Sequence, residues 1–225
     1  FIACLFFATL PASSNEEEKK RTCRVIFLDH ASKAPSEVYL FDGEQSHKVL
    51  ISTLNFSKVI ELPMGMITLG LIPQSIDDPE AFPEGAPTVK ISAQQTDLYM
   101  LLYSDPDNEI LPIKMRPIDI NNINNFKAGH TLWINLSKHK IAAKLSNQEV
   151  LIPPMKTTVS PPPLKTSGYF LAQFRYQRDS IGKFQPIMRK RWWCDVTSRN
   201  LGLIVNSGAR MPKIFTIRDR RRIKQ

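Results

Sequence analysis

The segment Arg189-Lys190-Arg191-Trp192-Trp193-Cys194-Asp195 concentrates residue types that bind anions and stack on flat ligands. Cationic side chains neutralise acidic groups, and indole rings stack on sugars or bases, with or without a cation over the ring. Successive side chains of a strand point to opposite faces, so Trp192 and Trp193 must part. One enters a core; the other is exposed, packed on a neighbouring unit or turned to a ligand. A second basic run places Arg218, Arg220, Arg221, Arg222 and Lys224 around Asp219. It reads either as an anion-binding patch or docking tail, or as a solvated strand end and terminus. The candidate ligand-binding residues are therefore Arg189, Lys190, Arg191, Trp192, Arg218, Arg220, Arg221 and Arg222.

Other chemistry is sparse. The chain has no phosphate-binding loop, dinucleotide glycine fingerprint, nucleophile elbow or zinc-type His-Glu-x-x-His. His30, His47, His130 and His139 form no close ligand pair. Asp77, Asp78 and Glu80 lie among prolines without a calcium-loop glycine pattern, and read as a plain acidic loop. The second half supplies only Asp119, Glu149, Asp179, Asp195 and Asp219 for any paired-carboxylate hydrolysis. The expectation is a non-enzyme with no metal and no cofactor.

Charge is divided unevenly. Residues 1–110 hold 8 Lys/Arg against 16 Asp/Glu, a balance of −8, whereas residues 111–225 hold 22 against 5, a balance of +17. Such a split suggests an acidic unit and a basic unit that face each other or a neighbour, and a basic half that attracts anionic polymers.

Phe1 to Leu10 is uniformly apolar, and Pro11-Ala12-Ser13-Ser14 and a run of acids follow. This reads as an export signal over 1–14 that starts before Phe1, with Ala12 and Ser14 at the cleavage positions. Lipidation at Cys4 is the less favoured alternative. The expected location is periplasmic or extracellular, which makes nucleic acid a poor partner despite the charge. Cys23 and Cys194 then meet an oxidising compartment, where they either pair in a disulfide or remain two buried thiols. No apolar run is long enough for a transmembrane helix in the mature chain.

The elements that must position these residues are short strands. Apolar runs of four to eight residues alternate with Gly, Pro, Asn and Asp turns, and 17 prolines argue against long helices. The proline-rich acidic stretch 73–88 reads as a loop, and Asn121 to Asn125 as a break between units. The expected organisation is a polar linker over 15–21, an acidic β-sandwich over 22–120, a basic β-sandwich over 126–218 and a basic tail over 219–225. Glu61–Leu69 echoes Leu151–Val159, and Tyr99–Tyr103 echoes Tyr169–Gln173, which suggests an internal repeat. The fold class is all-β: two tandem antiparallel β-sandwich units of six or seven strands each.

The stretch Arg24 to Gly43, a strand, a polar turn with Ala and Pro, a second strand and a Gly, resembles the opening of bacterial envelope immunoglobulin-like domains. Leu62-Pro63-Met64-Gly65 approximates the Leu-Pro-Gly turn that follows there, and Ile152-Pro153-Pro154 does so without the glycine. The resemblance covers about a third of the chain, and implies an exported immunoglobulin-like fold but no chemistry. The leading functional expectation is a non-enzymatic envelope or extracellular interaction module with a protein partner. The alternatives are a binder of anionic polysaccharide through the basic half, and a hydrolase with unrecognised carboxylates.

Overall fold

The computed structural model describes residues 20–28, 35–178, 182–206 and 211–220. The expected export signal, Cys4, Arg221 and Arg222 lie outside the described residues. The strands are β1 (Arg21–Phe27), β2 (Glu37–Phe41), β3 (Ser46–Leu50), β4 (Ile60–Leu62), β5 (Ile67–Ile72), β6 (Thr88–Ile91), β7 (Asp97–Ser104) and β8 (Ile113–Asp119). After the 120–130 connection come β9 (Thr131–Asn135), β10 (Lys140–Leu145), β11 (Gln148–Ile152), β12 (Thr157–Ser160), β13 (Gly168–Gln177), β14 (Gln185–Cys194), β15 (Arg199–Val205) and β16 (Lys213–Asp219). A single 3-10 turn, Pro79–Ala81, interrupts the acidic loop. No helix among the described residues is long and apolar enough to cross a membrane.

Four sheets form: A (β4-β1-β7-β8), B (β3-β2-β5-β6), C (β12-β9-β15-β16) and D (β11-β10-β13-β14). The second pair of sheets repeats the first at an offset of eight strands. Most neighbours are antiparallel, but the first strand of each unit runs parallel to the seventh: β1 beside β7, and β9 beside β15. The topology thus repeats, although the sequence echo aligned strands that are not equivalent. Tyr99–Tyr103 lies in β7, whose counterpart is β15, not the β13 that holds Tyr169.

Among the described residues each unit has eight strands. The one missed in sequence is β3, Ser46-His47-Lys48-Val49-Leu50, where only Val49 is buried and the alternation is too weak to see. Sheets A and B enclose one core, including Val25, Val38, Leu40, Leu69, Leu71, Leu98, Met100 and Leu102. Sheets C and D enclose another around Trp133, Ile141, Phe174 and Ile204. Gly202 sits directly opposite Trp133 in the β9–β15 register, and a Cβ there would clash with the indole ring. This close approach is why the strand carries glycine.

A third apolar cluster joins the two sandwiches. Ile26, Tyr99 and Leu101 of sheet A pack against Leu132, Ile134, Leu201, Leu203 and Ile217 of sheet C. The molecule is therefore a four-layer stack, B-A-C-D. The central strands are covered on both faces, so β7 reads Leu98-Tyr99-Met100-Leu101-Leu102 without alternation, and all five residues are buried.

Charged residues are sealed into this arrangement. Arg21, expected in a linker, is the first residue of β1 and fully buried. Its guanidinium donates to the carbonyls of Gln95 (2.6 Å), Pro63 (2.8 Å), Gly65 (2.6 Å) and Ser92 (2.8 Å), tying β1 to two turns. Asp219, expected in a basic tail, ends β16 with no exposed surface. It accepts from Arg24 (2.5 Å) and from the Tyr99 hydroxyl (2.6 Å), both from the other sandwich. Arg199 of β15 donates to Asp97 of β7 at 3.1 Å and lies 3.9 Å from Asp219. Unpairing buried charges costs far more than the pairing contributes, because the surviving partner stays desolvated. Asp219→Ala is expected to destabilise the chain by about 3–5 kcal/mol, read as a lowered urea midpoint.

Candidate functional site

The outer face of sheet D carries the most distinctive exposed chemistry. It is built by β13 and β14, a ten-residue antiparallel pair. Register sets Tyr169 opposite Trp193, Leu171 opposite Arg191 and Gln173 opposite Arg189. Alternation turns Arg189, Arg191 and Trp193 outward together. Tyr169 is 62% exposed and Trp193 46%. Their rings meet edge to face, with centroids 4.9 Å apart, and the Arg191 guanidinium lies 4.9 Å from the centre of the Tyr169 ring. Lys144 of β10 pairs with Gln173, extending the row Lys144-Gln173-Arg189 across three strands. Glu149, paired with Lys144 on β11, stands at the far end of that row.

Trp192 takes the opposite direction. It stacks on Trp133 (6.4 Å) and tilts against Phe174 (5.1 Å) in the core between sheets C and D. The aromatic available to a ligand is thus Trp193, and Trp192 drops out of the candidate set. The period of two separates the neighbours, but only the fold says which one faces solvent. Tyr169 was missed because it lies 24 positions earlier and meets Trp193 only through strand register.

Lys190 is exposed but leaves the outer face with Trp192. Arg218 is on another sheet, in β16, and its Nη1 lies 3.6 Å from Asp195 Oδ2. The Asp195 carboxyl is held below its ordinary pKa chiefly by the Thr197 hydroxyl, against burial and with help from the Thr197 N–H, Ser198 and Arg218. Arg218 is therefore partly neutralised. Arg220 is exposed just beyond β16. The two basic runs are two separate features, not one patch.

Cys23 lies in the first core and Cys194 at the end of β14, and no disulfide joins them. Burial raises the Cys194 thiol above its ordinary pKa, which keeps it protonated and unreactive at neutral pH. No group of three His, Cys, Asp or Glu among the described residues is arranged to hold a metal. His139 is buried edge to face on Tyr176 at 5.2 Å, whereas His130 bonds the Ala128 carbonyl.

One acid–base pair lines a groove. Asp42 and His47, at the β2–β3 turn, bond at 2.7 Å (Oδ2 to Nε2) beside a ≈ 890 Å³ cleft between β3 and β4. Neighbouring hydroxyls are committed elsewhere: Ser46 Oγ donates to the Ile76 carbonyl and Ser57 Oγ to that of Lys58. Asp42 also accepts the Glu44 and Gln45 N–H groups, so the pair closes a turn.

No family model matches the chain, and no curated protein matches it.

Two expectations follow from these placements. Trp192→Ala should destabilise by about 3 kcal/mol as a core cavity forms, while Trp193→Ala should stay within about 0.5 kcal/mol as a surface change, compared by urea unfolding. Burial raises the Asp42 carboxyl, but the His47 bond, the Gln45 and Glu44 N–H bonds and the His47 charge outweigh it, leaving the folded pKa below the ordinary 3.8. The stability this adds is present above that unfolded value and is lost as pH falls through the lower folded one. Asp42→Asn should therefore cost stability at pH 7 and lose that cost as pH falls through the folded pKa, read as converging unfolding midpoints.

Proposed function

We propose that this chain is a non-enzymatic binding module, exported to the periplasm or outside the cell, that holds an anionic polysaccharide on the outer face of sheet D. The observation that carries this reading is the cluster of Tyr169, Trp193 and Arg191, all exposed on one face, with Arg189 two residues along the same strand. Aromatic rings give sugar faces a stacking surface, and guanidinium groups pair with uronate or sulfate in a planar two-bond geometry. Repeats along a strand recur every ~6.8 Å and neighbouring strands lie ~4.8 Å apart. The cations thus form a shallow, extended array, suited to a polymer rather than to a small ligand enclosed in a pocket. Binding of this kind is largely charge neutralisation and falls with salt.

The engagement of the carboxylates elsewhere supports a non-enzymatic reading. Asp219 and Asp97 are engaged with arginines at the sandwich interface, and Asp42 closes a turn. Each of these carboxylates is already committed to a protein partner. The charge split supports the same assignment, since the cationic half carries the face and the acidic half is directed elsewhere.

The full chain should bind polygalacturonate at low salt, bind it at least about tenfold more weakly at about 0.5 M salt, and leave neutral dextran unbound. Arg191→Ala and Trp193→Ala should each remove most of that binding while leaving the urea midpoint in place. No uptake of any acidic glycan at low salt, by calorimetry, overturns the assignment.

A further inference from the structure

Each sandwich is closed along one side and open along the other. In the first, β6 packs against β8, while β3 and β4 part around the ≈ 890 Å³ groove. In the second, β11 packs against β12, while β14 and β16 part around a groove of ≈ 460 Å³. Loop 51–59 divides the two openings. Its Ser57, Lys58 and Val59 line the first, and its Thr53 and Leu54 line the second. Both openings therefore lie on one side of the stack. Six exposed large apolar side chains gather there: Leu50, Val59, Met64 and Met66 at or beside the first groove, Leu54 and Met211 at the second.

We propose that the groove between β14 and β16 receives an extended peptide of a partner protein, added as a further strand along β14, with apolar residues facing inward and acidic residues facing outward. Three observations converge on this occupant. First, β14 is ten residues long and among the described residues pairs with β13 alone, so it ends sheet D with an open edge, the template for strand addition. Pro186 and the register shift place a bulge at 186–188, where Ile187 and Met188 line the groove, and leave 189–194 regular beyond it. Second, the floor is apolar: Leu54 is 71% exposed, and Met188, Met211 and Phe215 complete it. Third, the charge is one-sided. Among the described residues Lys190 and Lys213 are the charged residues lining the groove and no carboxylate lines it, and Arg189 and Arg191 point out from the same strand. A strand added beside β14 continues its alternation, so the inward residues meet the apolar gap and the outward ones meet the two arginines. Opposite charges on neighbouring strands stabilise that register, whereas lysines there would repel. This inference shares Arg189 and Arg191 with the glycan reading but adds the groove, which lies on the other side of the β14 backbone from the outer face of sheet D.

The test uses the full chain and fluorescein-labelled octapeptides of alternating valine and glutamate, or of alternating valine and lysine, followed by anisotropy. The Val/Glu peptide should bind and the Val/Lys peptide should not. Leu54→Asp, at an exposed site, and Arg189→Glu with Arg191→Glu should each weaken binding at least about tenfold, while Trp193→Ala should leave it in place. N-methylation of either alternate set of Val/Glu residues tests the backbone pairing. Strand addition requires one set to abolish binding and the other to preserve it. Absent binding, equal binding of both peptides, indifference to Leu54→Asp, or indifference to both N-methylated sets overturns the proposal. So does self-association of the chain that Leu54→Asp abolishes, because a second copy would then be the occupant. Loss of polygalacturonate binding with peptide binding retained separates failure of the glycan reading from failure of this one.

Discussion

The Asp219 carboxylate, stripped of water at the seam between the sandwiches, is the constraint on which the arrangement turns. Its strong partners, Arg24 and Tyr99, come from β1 and β7 of the other unit, and Arg199 approaches from its own sheet while bonding Asp97 across the seam. A buried ion pair contributes little beyond what well-packed apolar residues would, but it penalises every arrangement that leaves one member unpaired. The Leu and Ile side chains around it provide the area; the charges select one register between sheets A and C. Without that selection the two apolar faces could slide over each other at small cost.

The seam also explains the symmetry of the molecule. Asp97 and Arg199 are each the first residue of the seventh strand of their unit, and they pair with each other. Asp119 and Asp219 are each the last residue of the eighth, but only Asp219 is drawn into the seam. Asp119 accepts instead from Asn121 (3.1 Å) and Asn122 (2.5 Å) at the start of the connection. Equivalent positions on a repeated topology thus carry unequal chemistry. The acidic and basic halves of the sequence meet here through a few sealed pairs, while most of their surplus charge stays at the surface.

Most of the strands are legible in the sequence because short apolar runs and turn residues mark them locally. The docking of the halves is visible only in retrospect, in runs such as Leu98 to Leu102 that fail to alternate because both faces are covered. Two boundaries were misplaced for one physical reason. Arg21 and Asp219 look like surface residues by type, and their burial depends on carbonyls and guanidinium groups 42 to 195 positions away. The candidate site was half legible. Strand alternation separates Trp192 from Trp193, but the choice between them depends on which face Trp133 and Phe174 occupy, and the pairing with Tyr169 depends on register. Cys23 and Cys194 could not be judged from spacing, since their separation in space is fixed by two different sheets.

The difference between the two units follows from one connection. In the second unit β11 reaches β12 through Pro153 to Lys156, a turn so tight that the two edges stay together. In the first, the equivalent connection is loop 51–59, which leaves β3, runs beside β1 with bonds from Phe27 N to Ser52 O (3.0 Å) and from Ser57 N to Val25 O (2.8 Å), and only then enters β4. The detour sends Phe56 under Arg24 and onto Tyr99, with ring centroids 4.5 Å apart, so the loop helps to seal the seam. Its cost is an open edge between β3 and β4, and its tip overhangs the gap between β14 and β16. The segment that locks the sandwiches together is therefore the one that shapes the grooves on the open side. Any change that frees Phe56 from the seam must alter both openings at once.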